Sequence, residues 1–389
     1  MGIADYHTVW LLGAGFSRAL GGPLLTDLFR PSGEVHDDAL FFPHARYPCL
    51  ASDLVVSRLF FKVGRKEGRW SDAEEFLAFV DSAQRDADGP KKGVLHSISR
   101  RLGAPLFMDD VDQHDFGYSV SHFATRTTPI RRALAAECSV FLMDFDDSEE
   151  IWHPYRTWAS SLDSKRDTVI SFNYDLVVEK LAAQQHSKLK VLMPEDCPQG
   201  ASDTKELPQD VVPVLKLHGS VDWRKSESGG IERGDLHKIL ADENSTPFIA
   251  APGRSKQDAV GELKPLWESA RRRLRQAGAL VILGYGFPAT DTKARTEIQT
   301  AFSDGSGTTE IRRIDVVLGP HTARPEARRV EALLETFDTG RRLLVAPNPP
   351  LPGNDRILYL KTHPLWVQDF IFDYKYRTKD VKFEGVRLG

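Results

Sequence analysis

A chain of 389 residues, 41% hydrophobic and 27% charged, has the composition of a globular protein with room for two or three domain-sized units. A formal net charge of −4 gives no overall pull toward nucleic acid, and three scattered cysteines, Cys49, Cys138 and Cys197, offer neither a disulfide framework nor a paired-cysteine zinc site. No run reaches the ~18 to 20 continuous apolar residues of a membrane helix, and the N-terminus lacks the blocks of a secretory signal, so a cytoplasmic protein is expected.

The first strand candidate, HTVWLLG (7 to 13), breaks into Gly13-Ala14-Gly15-Phe16-Ser17-Arg18. Glycines straight after a strand let the backbone approach a pyrophosphate, although a tight strand-to-helix turn needs them equally. A dinucleotide fingerprint would carry its third glycine where Arg18 stands, and no Lys-Ser or Lys-Thr pair follows as a P-loop requires. Hydride transfer and P-loop chemistry are therefore both disfavoured.

From about Phe29 to Ser164 the patterning is helical. Ser71 with Glu74 fits a capping box, and Phe76, Phe79 and Val80 then share one helix face. Residues 119 to 145 have helical apolar spacing interrupted by Pro129. These features predict a helical module, 30–164, inserted between the first and second strands of a unit made of 1–29 and 165–389.

Five further apolar runs read as strands: DTVISFN (167 to 173), VPVLKLHG (212 to 219), FIAAPG (248 to 253), ALVILGYG (279 to 286) and RIDVVLGP (313 to 320), with a weaker RLLVAPNP (342 to 349). They are nearly continuous in apolar residues, as strands buried on both faces of a parallel sheet are, and helical stretches such as 175 to 185 and 265 to 278 lie between them. The predicted fold is α/β: a Rossmann-like, doubly wound, mostly parallel sheet with an inserted helical module. The polar KSESGGIERGD, within a second insertion from Val221 to Gly261, reads as a mobile loop.

In an open parallel sheet, ligands bind outside the carboxyl ends of the strands. Small or polar residues collect there: Gly13 to Arg18, Asn173-Tyr174-Asp175, His218-Gly219-Ser220, Gly284-Tyr285-Gly286 with Thr290 and Asp291, and Gly319. Bland alternatives stand beside several of them. Asp175 or Asn173 can cap a helix beginning at Leu176, Tyr285 and Phe287 can be core aromatics, and Arg271, Arg272, Arg273 and Arg275 can be a solvated helix face, with direct nucleic-acid binding not expected.

Taken in order, GAGFS, SFNYD, LHGS and GYGFPATD resemble the sirtuin fold, and more closely its bacterial sirtuin-like branch in anti-phage defence than the protein deacetylases. The resemblance implies a domain that binds NAD as its substrate and breaks the bond between nicotinamide and ribose, with no metal. By that likeness Gly13, Ala14, Gly15 and Ser17 line the pyrophosphate and ribose, and Arg18 pairs with a phosphate. Asn173 and Asp175 match the pair beside the nicotinamide ribose, and His218 matches the catalytic histidine. Gly284, Tyr285 and Gly286 match a phosphate and adenosine-ribose loop, and Asp315 to Gly319 lie toward the adenine.

The deacetylase loop of proline, aspartate and arginine is missing, since the equivalent stretch reads Gly22-Pro23-Leu24-Leu25-Thr26-Asp27, and the cysteine count excludes that family's zinc module. The expectation is accordingly an NAD hydrolase, a regulated NAD-depleting effector. The same resemblance implies self-assembly into a homo-oligomer, and a separately encoded trigger such as a HerA-type ATPase or a short Argonaute. The alternatives are a deacylase, an ADP-ribosyl transferase, or a sensor that binds NAD or ADP-ribose without chemistry.

Overall fold

The structure, a computed structural model, describes residues 7–29, 48–85, 89–102, 128–143, 148–198, 210–242, 244–250, 261–288, 291–302, 311–320, 325–336, 342–345 and 357–379, with 146, 207, 208 and 259. Strands β1 (Thr8–Leu12), β2 (Asp167–Ser171), β3 (Leu189–Val191) and β4 (Val212–Lys216) come first. After them follow β5 (Trp223–Lys225), β6 (Ile231–Arg233), β7 (Ala279–Leu283), β8 (Arg313–Val317), β9 (Arg342–Val345) and β10 (Ile357–His363).

All but β5 and β6 join one sheet in the order β3, β4, β2, β1, β7, β8, β10, β9, and every pairing in it is parallel. The central strand β1 sets Thr8 beside Asp167 of β2 and beside Ala279 of β7. Every residue of β1, β4 and β7 is buried, which explains why those runs carry almost no polar residue.

Helices α1 (Pro48–Lys66), α2 (Ala73–Arg85), α3 (Pro90–Leu102) and α4 (Thr128–Glu137) precede β2, as do the short α5 (His153–Ser161) and two single 3-10 turns. Then come α6 (Val177–Ala182), α7 (Leu236–Ala241), α8 (Lys264–Arg275), α9 (Thr292–Phe302), α10 (Pro325–Glu335) and α11 (Val367–Lys379). Helix α5 lies against α11 and delivers Trp158, whose ring stands edge-on to Trp10 of β1 at 5.6 Å and to Phe16 at 5.2 Å. Tyr155 on the same helix donates to the Phe16 carbonyl at 2.8 Å. Residues 152 to 162 thus belong to the core of the sheet, each large buried side chain there contributing about 1.5–3 kcal/mol.

A second core holds Phe29, Phe60 and Phe61, Phe76 and Val80 of α2, and Leu134 of α4. It extends to Val221, Leu240 and Ile249, from the chain that follows β4, and Tyr174 and Leu176 at the end of β2 pack against it. The helices of residues 48 to 137 therefore seat on the same edge of the sheet where β2 and β4 end.

Several expectations are corrected. KSESGGIERGD is a loop only in part: Lys225 ends β5 and Ile231–Arg233 form β6, an antiparallel pair joined by a turn in which Ser226 N–H donates to the Gly230 carbonyl at 2.8 Å, and α7 follows. FIAAPG supplies no strand to the sheet among its described residues, only a single bridge between Ile249 and Gly219; its last three residues lie outside those described. Its apolar character comes from burial between the two cores. The α2 cap is shifted by one: Asp72 accepts from Glu75 N–H at 2.9 Å, and Glu75, not Glu74, reaches back to Ser71 N–H at 2.7 Å. Pro129 sits in the first turn of α4, where its missing N–H costs nothing; residues 119 to 127, on which the expected interruption depends, and Cys49's side chain lie outside the described set.

Candidate functional site

Because the strands of the sheet all run one way, their carboxyl ends share one edge, and the order of connections reverses between β1 and β7. The loops after β1 and β7 touch at this switch point. Gly13 N–H donates to the Leu283 carbonyl and Gly15 N–H to that of Gly284, both at 3.0 Å. A Cβ on Gly13 would stand 2.5 Å from Tyr285 Cα, and one on Gly15 would stand 2.7 Å from Gly284 Cα. The close approach these glycines permit is thus to the facing backbone, and Ala14–Phe16, directly after Gly13, forms a 3-10 turn.

Asn173, leaving β2, donates from Nδ2 to the Gly13 carbonyl at 2.9 Å and to Ser17 Oγ at 3.2 Å, so the direction of its amide is fixed. Ser17 in turn donates to Asp175 Oδ2 at 2.7 Å. The other carboxylate oxygen, Oδ1, accepts from Val177 N–H at 3.0 Å, which makes Asp175 both the anchor of the β1 loop and the acceptor that opens α6. Burial raises the Asp175 carboxyl above its ordinary range, against the charge of Lys216 and the bonds from Ser17, Val177 and Asn173.

Lys216, at the end of β4, is fully buried. Its ammonium donates to the Asp175 carbonyl at 2.6 Å, to Glu179 Oε1 at 2.7 Å and to Ser220 Oγ at 2.7 Å, which uses all three of its donors. Lys216 thereby ties the loop after β2, helix α6 and the loop after β4 together. Burial also raises the Glu179 carboxyl, against the pull of Lys216.

His218, 4% exposed, is surrounded by rings: Phe172 at 4.9 Å, Tyr174 at 6.2 Å and Trp267 of α8 at 6.3 Å. Phe172 also stacks on Tyr285 at 4.3 Å and 16°, so the ends of β2, β4 and β7 meet over β1. Tyr285 donates its hydroxyl to Asp291 Oδ2 at 2.5 Å, and the same oxygen lies 3.4 Å from His218 Nε2. Thr290 lies outside the described residues.

The structure thus brings Gly13, Gly15, Ser17, Asn173, Asp175, His218, Gly284 and Tyr285 to one edge. Arg18 is turned elsewhere: it is 47% exposed at its side chain and bound to Asp27 at 2.6 Å, so the expected phosphate has a competing carboxylate. Gly286 offers its carbonyl to Arg329 at 2.7 Å. Asp315 takes Arg313 Nε at 2.5 Å and His363 Nε2 at 2.7 Å inside the sheet. Burial opposes ionisation there, yet the bonds from His363 and Arg313 win and hold its carboxyl below the usual range. A carboxyl lowered on folding stabilises fully above its unfolded value near 3.8 and loses that contribution as pH falls through the depressed folded value. Asp315→Asn is therefore expected to cost about 1–3 kcal/mol at pH 7, shrinking in acid, as read from urea melts at pH 7 and pH 3.

Lys216, Glu179 and Trp267 were not foreseen as parts of the site. One signal was present, a lysine inside the otherwise apolar VPVLKLHG, since a charge that deep requires a partner. Arg271 of α8 binds Glu297 at 2.6 Å, which takes it out of any open basic face. Among the described residues there is no group of three or more side chains suited to a metal, and no helix is long and apolar enough to cross a membrane.

Residues 167–335, from the start of β2 to the end of α10, match the family model described as a SIR2-like domain. No curated protein matches the chain. Among solved structures, that of Sir2Tm bound to a propionylated peptide is 12% identical over 95% of this chain and 92% of that one, with a TM-score of 0.34. A likeness at that level leaves the fold to rest on this chain's own topology. The class is thus a doubly wound parallel α/β protein whose segment from β2 to α10 is SIR2-like, with a strand-end cluster under a helical module.

Proposed function

We propose that the protein is an NAD+ glycohydrolase that releases nicotinamide and ADP-ribose. What supports this reading above all is that Asn173 and His218, a hydrogen-bonding amide and an imidazole, leave adjacent strands β2 and β4 beside the switch point within a segment matching the SIR2-like model. In the proposed reaction the bond between ribose C1′ and nicotinamide breaks with its electron pair leaving on the pyridine, and positive charge develops on the sugar. A water oxygen bonds to C1′ and its proton passes to His218. Asn173, its amide nitrogen already engaged, presents its amide oxygen to a ribose hydroxyl. Asp175 holds Ser17 and α6 in place and so acts through the loop.

An enzyme that drains a central cofactor has to be restrained. The burial of Asn173 and His218, 8% and 4% exposed, next to Tyr174, which packs against the core of the helices of residues 48 to 137, supports a regulated effector of the anti-phage kind that a trigger opens. Self-assembly or a separately encoded partner would supply that opening.

The test is nicotinamide release, measured by chromatography with the purified chain and NAD+. His218→Ala and Asn173→Ala are each expected to lower the rate by about 100-fold or more while leaving the thermal midpoint within a few degrees. Tight NAD+ binding with no release in any condition would instead favour a sensor, and release that depends on an acetylated peptide would favour a deacylase.

A further inference from the structure

We infer that Asp291 is the positioning residue of His218, its carboxylate held by the Tyr285 hydroxyl so that it orients the imidazole through Nε2 and stabilises the protonated ring. The inference rests on the hydrolase reading for its catalytic meaning, though not for its geometry. Two connections converge: His218 follows β4, while Tyr285 and Asp291 open and close the single connection from β7 to α9. One carboxylate oxygen accepts from the phenol at 2.5 Å and lies within ion-pair distance of the imidazole Nε2, at 3.4 Å, and all three side chains are nearly fully buried. A fixed acceptor of this kind decides which nitrogen of a neutral histidine carries the proton. With the proton on Nε2 toward Asp291, Nδ1 is left as the nitrogen that takes a proton from the attacking water. The imidazolium so formed then lies against a carboxylate, which lowers the cost of charging a ring in an apolar cage.

The other titratable groups around the ring fit this arrangement. Tyr174 from the end of β2 and Tyr285 from the end of β7 are both kept neutral by burial, the latter further by its bond to the Asp291 carboxylate. Glu74 of α2 adds negative charge near both hydroxyls, with Arg131 opposing it at Tyr174 and Arg295 at Tyr285. Asp291 is the carboxylate within ion-pair distance of the imidazole itself.

The experiment is nitrogen-15 NMR of the histidine rings in the full chain, with His218 assigned by its loss in His218→Gln. In the native protein the neutral His218 ring is expected as the Nε2–H tautomer; the Nδ1–H tautomer would overturn the inference without any further variant. In Asp291→Asn, which keeps size and an acceptor for Tyr285, the His218 titration midpoint is expected to fall by about one pH unit or more. An unchanged midpoint would overturn it. In the nicotinamide assay the same variant should lose kcat by about 10- to 100-fold with KM within about twofold, and the acidic limb of its pH profile should move down with the midpoint. If the native chain releases no nicotinamide but the tautomer and midpoint behave as expected, the hydrolase reading fails and the positioning role stands.

Discussion

Lys216→Met is expected to lower the stability of the fold by about 3–5 kcal/mol, the cost of breaking a buried ion pair from one side. Methionine fills the space of the lysine stem but leaves Glu179 Oε1, Ser220 Oγ and the Asp175 carbonyl facing a thioether. Water cannot replace the ammonium, because the position is fully enclosed. Urea unfolding followed by tryptophan fluorescence checks this, with a lower midpoint and an unchanged slope expected. The double variant Lys216→Met, Glu179→Leu should recover much of the loss, since removing both charges deletes the orphaned carboxylate. A loss below about 1 kcal/mol in the single variant would show that Glu179, whose carboxyl burial already raises, simply takes up a proton and leaves the network neutral.

Gly284→Ala is expected to be comparably severe for a different reason. The residue sits at φ +66°, where a side chain is strained, and its Cβ would lie 2.4 Å from Gly15 Cα and 2.5 Å from Phe16 N. Those are backbone atoms in a hydrogen-bonded loop, so relief requires the β1 and β7 loops to part. Left-handed strain of about 1–2 kcal/mol adds to overpacking of about 1–3 kcal/mol. The displaced β1 loop carries the Gly13 carbonyl and Ser17 that hold Asn173, so nicotinamide release should fall further than stability alone explains. Gly286→Ala is the control for stability: its Cβ would meet nothing nearer than Arg329 Nη2 at 3.7 Å, and its unfolding midpoint should stay close to native. If Gly284→Ala matches that control, the loops are looser than the spacing implies.

The strands at the middle of the sheet were readable because burial on both faces leaves little room for polar residues: β1, β2, β4, β7 and β8 all announce themselves as apolar runs, and the weaker run at 342 to 345 proved to be β9. The edge strand β3 did not, since Lys190 faces solvent between Leu189 and Val191 and three residues carry no period. Strand β10 mixes Lys361 and Thr362 into its run, and its His363 is polar because Asp315 of the neighbouring strand needs it. Within the site, residues that speak through backbone spacing, such as Gly13, Asn173 and His218, stood out at strand ends. Lys216 did not, because its partners lie on α6 and on the loops after β2 and β4. The glycines of GAGFS were the most ambiguous: their spacing fits a ligand and fits the facing loop, and the facing loop is what their vacant side-chain positions accommodate.

The placement of β1 also bears on how the chain is made. Of the described strands it leaves the ribosome first, yet the neighbours that enclose it begin at residues 167 and 279. At roughly 5–20 residues per second, TVWLL waits on the order of ten seconds or more for its second partner, and a parallel sheet closed so late has high contact order and folds slowly. During that interval an apolar segment without a charge must be shielded by chaperones or by the helical module synthesised directly after it. Among the described strands, β1 is thus the one that depends longest on the rest of the chain.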